Sequence, residues 1–173
     1  MWEICGECSL FQDLDQDTRG ASANASAGAP LTGHNTTSAE MVAFMQAVKN
    51  NIKALDPSRY VAYGHAMPRK MAEHLRAQPE WVGGGDFTHD NQTEFETNLT
   101  FTHQGTDIVT VHYYNWFDAG STTVRDNERF GVTGIHNAGL LDIIKAQTDT
   151  LGKVLFVEEF GDYSPDLLKD PEG

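Results

Sequence analysis

The sequence predicts an α/β fold built on a parallel sheet. Four short apolar segments alternate with three segments of helical spacing, in the order strand, helix, strand, helix, strand, helix, strand. Alternation of this kind favours crossover helices, which bring successive strands parallel into one sheet. Polar residues follow several of the strands, but no glycine-rich phosphate loop does, which disfavours nucleotide-binding folds.

The first strand and the first helix are separated by a long loop. Residues 2–5 form a short apolar stretch that predicts a strand end, and residues 12–36 are rich in small and polar residues without periodicity. Thr37 and Glu40 fit a capping box, which predicts the start of a helix, and the Asp-Pro pair at 56–57 predicts its end. The apolar residues at helical spacing between these signals are Met41, Phe44, Met45, Val48, Ile52 and Leu55.

The middle of the chain predicts one more strand and one more helix. Residues 60–64 form the second strand, and a helix runs over residues 68–78, where Pro79 stops it. Three glycines at 83–85 break the chain, and the polar stretch to about Gln104 is assigned no helix or strand.

The last third predicts a strand, a helix and a strand. Residues 108–111 are β-branched without interruption, as in a buried parallel strand. A loop is expected over residues 117–133 and a helix over residues 136–151, followed by the last strand at 154–157. The apolar face of this helix consists of Leu140, Leu141, Ile144 and Leu151.

Composition limits the possible partners. The 173 residues suffice for one ordinary domain, and 39% apolar residues allow a packed core. The net charge of −13 would repel nucleic-acid phosphates and an anionic membrane surface, so neither is expected as a partner. A neutral polysaccharide meets no such conflict.

The two cysteines, Cys5 and Cys8, do not form a disulfide framework. We expect two semi-buried thiols, although a redox pair or half of a zinc site remains open. The seven histidines show no known ligand spacing with an acidic partner, so no metal and no cofactor are expected.

Four N-x-S/T sequons exceed the number expected by chance, at Asn24, Asn35, Asn91 and Asn98. The excess suggests a glycosylated, extracellular protein. Chance occurrence in a threonine-rich chain is the alternative.

Two glutamates follow the first and last strands, at Glu7 and Glu159. In a (β/α)8 barrel the carboxyl ends of the strands form the active-site face, so both side chains would lie on that face. A retaining glycosidase needs two carboxyl groups about 5 Å apart, one as proton donor and one as nucleophile. Four strands make half a barrel, so we predict a partial (β/α)8 TIM barrel and an incomplete catalytic domain over residues 1–173.

Several motifs carry a resemblance to glycoside hydrolase family 5 and its clan relatives. Residues 2–7 resemble the W-E-x-x-N-E motif, residues 107–114 resemble a sixth strand ending in H-x-Y, and residues 154–161 resemble a seventh strand with E-F-G. Residues 52–64 are similar to the preceding helix and fifth strand, and residues 85–87 are similar to endo-β-mannanases. The resemblance covers essentially the whole chain and implies strands four to seven of the barrel.

The resemblance implies roles for the matching residues. Glu7 would be the acid/base and Glu159 the nucleophile, because E-F-G selects the second glutamate of the pair at 158–159. Strand alternation is expected to point Glu158 to the opposite face. His112 would bind substrate, and Tyr114 would donate a hydrogen bond to the nucleophile.

Three tryptophans are considered for sugar stacking. Trp2 and Trp116 are placed among the substrate-binding residues, whereas Trp81 is expected to pack in the core or an interface. Gly6 departs from the motif, because the family has an asparagine there that contacts the sugar.

The predicted function is a secreted, retaining β-glycoside hydrolase acting on a β-linked polysaccharide, of endo-β-1,4-mannanase or cellulase type. Two alternatives remain. One is a truncated or degenerate homologue that binds glycan without catalysis, and the other is a metal protein based on the CxxC or the histidines.

Overall fold

The computed structural model describes residues 1–14, 36–115, 130 and 137–162. Most of the two predicted loops, at 12–36 and 117–133, lies outside these residues. The elements in chain order are β1 (Trp2–Glu3), a 3-10 helix (Cys8–Phe11), α1 (Ser38–Leu55), β2 (Val61–Ala62), α2 (Ala72–Ala77), α3 (Gln92–Thr102), β3 (Ile108–Asn115), α4 (Asn137–Thr150) and β4 (Val154–Asp162).

The strands form two parallel pairs. β1 pairs with β2 from Trp2 opposite Val61, and β3 pairs with β4 from Ile108 opposite Val154. Hydrogen bonds link the pairs, among them those from the Asp107 N–H to the Val61 carbonyl at 3.1 Å and from the His65 N–H to Thr110 Oγ1 at 3.0 Å. The parallel pairing agrees with the sequence analysis, and the partial barrel stays a prediction.

Helix α1 begins and ends where its sequence signals lie. The Glu40 N–H donates to Thr37 Oγ1 at 3.1 Å, and the Thr37 N–H donates to Glu40 Oε2 at 2.9 Å. These two bonds satisfy donors that no helical carbonyl can reach. The predicted start at the capping box and the predicted end before Pro57 are therefore confirmed.

Helix α3 was not predicted, and the assignment of residues 86–104 as a stretch without a helix is wrong. A capping box starts this helix too, because the Glu94 N–H donates to Asn91 Oδ1 at 3.1 Å and the Asn91 N–H donates to Glu94 Oε2 at 2.7 Å. Only two apolar side chains on this helix, Phe95 and Leu99, are buried. An apolar repeat of two residues predicts a helix only weakly. The capping box of Asn91 and Glu94 was the sequence signal that could have identified it.

Two sequons lie on α3 and bear on the glycosylation expected from sequence. Asn98 is 3% exposed, and its Nδ2 lies 3.5 Å from Glu73 Oε2. A glycan cannot be attached to a buried side chain in the folded chain, so Asn98 is not a surface acceptor. Asn91 caps the helix, while Asn24 and Asn35 lie outside the described residues.

Helix α2 is shorter than the predicted helix over residues 68–78. Its first turn forms around the buried Asp90, whose carboxylate accepts the N–H groups of Glu73 at 2.9 Å and His74 at 3.2 Å. Asp90 comes from a distant part of the chain, so local sequence could not set this boundary.

The main core cluster lies between β3, α3 and α4. It contains Phe95, Leu99, Val109, Val111, Leu140 and Ile144, each at most 2% exposed. Burying side chains of this size contributes about 1.5–3 kcal/mol each. This packing holds β3, and with it the polar residues that follow Val111.

Asp107 joins three elements at the start of β3. Its carboxylate lies 2.8 Å from the Nζ atoms of Lys49 and Lys53 of α1, and it accepts the Val61 N–H of β2 at 3.0 Å. Burial by itself would raise the pKa of Asp107, but the three donated hydrogen bonds and the lysine charges outweigh it and lower the pKa to about 2.

We expect Asp107→Asn to destabilise the chain by about 1 to 3 kcal/mol at pH 7, because two lysines lose their partner. The contribution of a carboxylate whose folded pKa lies below its unfolded value is present above pH 3.8 and is lost as the pH falls through about 2. Urea unfolding between pH 2 and 7 measures this. Asp56→Asn, at an exposed pair with Arg59, is the control and should change far less. Equal effects of the two variants would contradict the role given to Asp107.

Candidate functional site

Three of the sequence-predicted site residues meet at the C-terminal side of the strands. His112 Nδ1 lies 2.9 Å from Glu7 Oε1 and 3.4 Å from Glu159 Oε2. One ligand-type atom from each of the three residues lies within 4.8 Å of the others. Two glutamates 152 positions apart, 159 minus 7, are thus brought together by the fold.

Glu7 is held by its backbone. Its N–H donates to the Gly64 carbonyl at 2.8 Å, and its φ of 59° lies in the left-handed region. Gly64 itself has a φ of 71°, and a Cβ there would lie 1.6 Å from the Cys5 carbonyl oxygen. Only glycine fits this approach of two backbone segments. The turn after β1 therefore directs Glu7 toward β3.

The expectation of two semi-buried thiols is wrong, because Cys5 and Cys8 form a disulfide. The bridge closes a ring of four residues that contains Glu7. A non-glycine residue in the left-handed region is strained, and the ring closed by the disulfide limits the other backbone conformations that Glu7 could adopt. Neither cysteine is free for a zinc site in this structure.

His112 is the centre of the cluster, and its side chain is 2% exposed. The family resemblance implies that His112 binds substrate; in the structure its ring nitrogens lie near the carboxylates of Glu7, Glu158 and Glu159. A buried imidazole in this position can donate one or two N–H groups to anionic neighbours.

A bulge decides where the two adjacent glutamates lie. The pairing of β3 with β4 shifts between Val111 and His112, so that His112 is opposite Glu159 and Glu158 is the extra residue. Glu158 Oε2 lies 3.6 Å from His112 Nε2, whereas Glu159 lies near Nδ1. The expectation that alternation turns Glu158 away from the site is wrong, because the bulge interrupts the alternation.

The two glutamates differ in environment. The Glu158 side chain is 7% exposed, and among the described residues neither of its oxygens has a hydrogen-bond partner within 3.5 Å. Burial, together with the negative charge of Glu3, raises the pKa of Glu158 to about 7. The Glu159 and Glu7 side chains are 49% and 39% exposed, so both remain accessible from solvent.

The aromatic candidates are only partly described. Trp2 lies on β1 and is 54% exposed, and Trp81 is partly buried. The backbone of Tyr114 pairs with Gly161, but its side chain lies outside the described residues, as does all of Trp116. The hydrogen bond from Tyr114 and the stacking on Trp116 therefore stay predictions.

Gly6 stands in open space. A Cβ added there would meet no atom within 4 Å, and its φ is not in the left-handed range. The asparagine of the family motif could therefore occupy position 6 without a clash at its Cβ.

A second polar cluster, missed in the sequence, joins α2 to α3. His74 Nδ1 lies 3.0 Å from Asp86 Oδ2, and His74 Nε2 lies 3.4 Å from Glu94 Oε2. The hydrogen bond to Asp86 raises the pKa of His74. Asp90 also lies here, but it and Glu94 already accept backbone N–H groups at the starts of the two helices. We interpret this cluster as structural.

None of the helices in the described residues is long and apolar enough to cross a membrane. No protein-family model matches the chain, and no curated protein matches it.

Gly64→Ala should cost about 3 kcal/mol or more, because it combines a left-handed φ with a backbone clash. Gly84→Ala is the matched control, since Gly84 has a φ of 89° but no atom within 4 Å of the added Cβ. It should cost only the backbone strain, about 1 kcal/mol. Urea unfolding of both variants measures the difference, and similar losses would show that close packing at Gly64 is unimportant.

Glu158→Gln should stabilise the chain at high pH and leave it unchanged at low pH. A carboxyl group whose folded pKa is raised costs nothing below its unfolded pKa of 4.5, and it destabilises the fold as the pH rises through about 7. The difference in unfolding free energy should reach about 1 to 3 kcal/mol above pH 7. Thermal melts between pH 4 and 9 test this, with Glu96→Gln as a control on α3. A difference that is constant with pH would contradict it.

Proposed function

We propose that the chain carries the acid/base and the nucleophile of a retaining β-glycoside hydrolase of the family 5 type. The observation that supports this most directly is the approach of Glu7 and Glu159, whose carboxylate oxygens lie within 4.8 Å of each other beside His112. Retaining enzymes place their two carboxyl groups about 5–5.5 Å apart.

In the proposed mechanism Glu7 protonates the glycosidic oxygen while Glu159 attacks the anomeric carbon. The bond between that carbon and the leaving oxygen breaks, and a covalent glycosyl-enzyme forms. Water, deprotonated by Glu7, then releases the sugar with net retention. The partial exposure of both glutamates leaves room for a polymer, and the buried His112 can orient them by hydrogen bonds. No metal or cofactor is part of this mechanism.

The substrate class we propose is a neutral β-linked polysaccharide, of mannan or cellulose type. The net charge of −13 is compatible with an uncharged polymer, and the Gly-Asp-Phe segment at 85–87 favours mannan. We further propose that the described strands correspond to strands four to seven of a (β/α)8 barrel and that the protein is secreted. Nucleic acid and membrane are not proposed as partners.

Two alternatives have specific support. Gly6 in place of the motif's asparagine favours a homologue that binds glycan without hydrolysing it. The Glu7, His112 and Glu159 atoms also form a possible set of metal ligands. Metal analysis of the purified protein separates the second alternative from the glycosidase, because a glycosidase of this type would contain no stoichiometric metal.

The direct test is hydrolysis of soluble mannan and carboxymethylcellulose by the complete protein. We expect activity that falls at least about 1,000-fold in Glu159→Ala and in Glu7→Ala. Added azide should restore cleavage of an activated glycoside and give the α-glycosyl azide with Glu159→Ala but the β-anomer with Glu7→Ala. The reverse pattern would exchange the two roles, and an inactive wild-type protein that is folded would favour the inactive homologue.

Gly6→Asn should raise kcat/KM on the polymer about 10-fold, because the amide can bond the sugar hydroxyl beside the anomeric carbon in the transition state. Gly6→Ala is the control, since it adds a Cβ without the amide and should have no such effect. An increase in kcat/KM in both variants would mean that replacing glycine, and not adding the amide, is responsible. No increase in either would show that the missing amide does not limit activity.

A further inference from the structure

We propose that Glu158 is a positioning residue that supplies a proton to Glu7 through the imidazole of His112. The inference rests on the proposed function, in which Glu7 is the general acid. The two ring nitrogens of His112 face different carboxyl groups: Nε2 lies 3.6 Å from Glu158 Oε2, and Nδ1 lies 2.9 Å from Glu7 Oε1. The ring therefore bridges a buried carboxyl group and an accessible one.

The surroundings isolate this bridge from water. The His112 side chain is 2% exposed and that of Glu158 is 7% exposed. Glu158 has no hydrogen-bond partner within 3.5 Å among the described residues, and His112 Nε2 lies 3.6 Å from its Oε2. Closing their separation by about 0.6 Å would give an ordinary hydrogen bond.

Two arrangements hold the same number of protons. In the first, Glu158 is protonated and donates to Nε2, while Nδ1–H donates to the Glu7 carboxylate. In the second, Nε2 has taken the proton of Glu158 and Nδ1 has given its own to Glu7. One O–H and one N–H bond break, and one of each forms. The imidazole changes tautomer and stays neutral, and Glu7 becomes the acid that a turnover requires.

Burial and the neighbouring Glu3 favour a proton on Glu158 before the transfer. Burial and the negative charge of Glu3 on β1 raise the pKa of Glu158 to about 7, and they outweigh His112, which lowers it. Glu159 also faces Nδ1, at 3.4 Å, and His65 lies close enough to His112 to interact electrostatically. Two carboxylates beside Nδ1 attract a proton to that nitrogen, and in the neutral ring Nε2 is then the nitrogen that can accept from Glu158.

The test is Glu158→Gln in the complete protein, since a carboxamide keeps the volume but cannot release a proton. On an oligosaccharide, whose leaving group needs protonation, kcat/KM should fall about 10- to 100-fold. On the 2,4-dinitrophenyl glycoside, whose leaving group needs none, it should change less than about 2-fold. Equal losses on both substrates, or no loss on either, would overturn the relay.

Glu3→Gln provides a second variant, because it keeps the carboxyl group of Glu158 and removes the neighbouring charge. It should retain activity on both substrates and shift the basic limb of the oligosaccharide pH profile to lower pH. An unshifted profile would count against the relay.

Nitrogen NMR of His112 decides the relay without an activity assay. In the wild-type chain, the Nδ1 and Nε2 resonances should change together between pH 5 and 9, and this change should disappear in Glu158→Gln. If the two resonances of the wild-type chain do not change with pH, the relay is wrong even if the protein hydrolyses glycosides. If they do change but the protein hydrolyses no glycoside, the coupling of His112 to Glu158 is supported and the proposed glycosidase function is wrong.

Discussion

The carboxylate of Asp107 is the contact on which the arrangement of the strands depends. It accepts hydrogen bonds from two lysines of α1 and from the backbone of β2, at the point where β3 begins. Since β2 is only two residues long, its own ladder cannot fix its position against β3. The side-chain contacts of Asp107 and the Thr110 hydroxyl supply that fixation. The site is assembled across this junction, because Glu7 follows β1 and His112 belongs to β3.

The candidate site depends on two irregularities of the backbone. The left-handed turn at Glu7, bounded by Gly64 and closed by the disulfide, brings one carboxylate to Nδ1 of His112. The bulge in β4 opposite His112 brings the Glu159 carboxylate to Nδ1 and the Glu158 carboxylate to Nε2. Regular strands would carry Glu158 and Glu159 to opposite faces. Irregular backbone at strand ends is where proteins often place reactive groups.

Three carboxyl groups around one buried imidazole cannot all behave alike. Glu7 and Glu159 are partly exposed, and solvent can stabilise their charges. Glu158 is buried, and burial together with the charge of Glu3 raises its pKa to about 7. In the proposed function, this difference in environment is what would allow the carboxyl groups to take separate acid and base roles.

The sequence by itself determined the alternation of parallel strands with α1, α2 and α4, the capping box of α1 and the polar residues in and after the strands. These follow from local signals, namely apolar periodicity and turn chemistry. It did not determine α3, whose apolar repeat is short, or the start of α2, which the distant Asp90 sets.

Tertiary structure alone decided the distances in the site, the pairing of Cys5 with Cys8 and the approach of Glu158 to His112. The disulfide joins residues only three apart, but whether two such thiols pair depends on the turn that presents them. The other two features have a long-range cause. A register shift, a left-handed turn and the burial of a carboxyl group result from contacts between segments far apart in the chain, and no local pattern in the sequence records them.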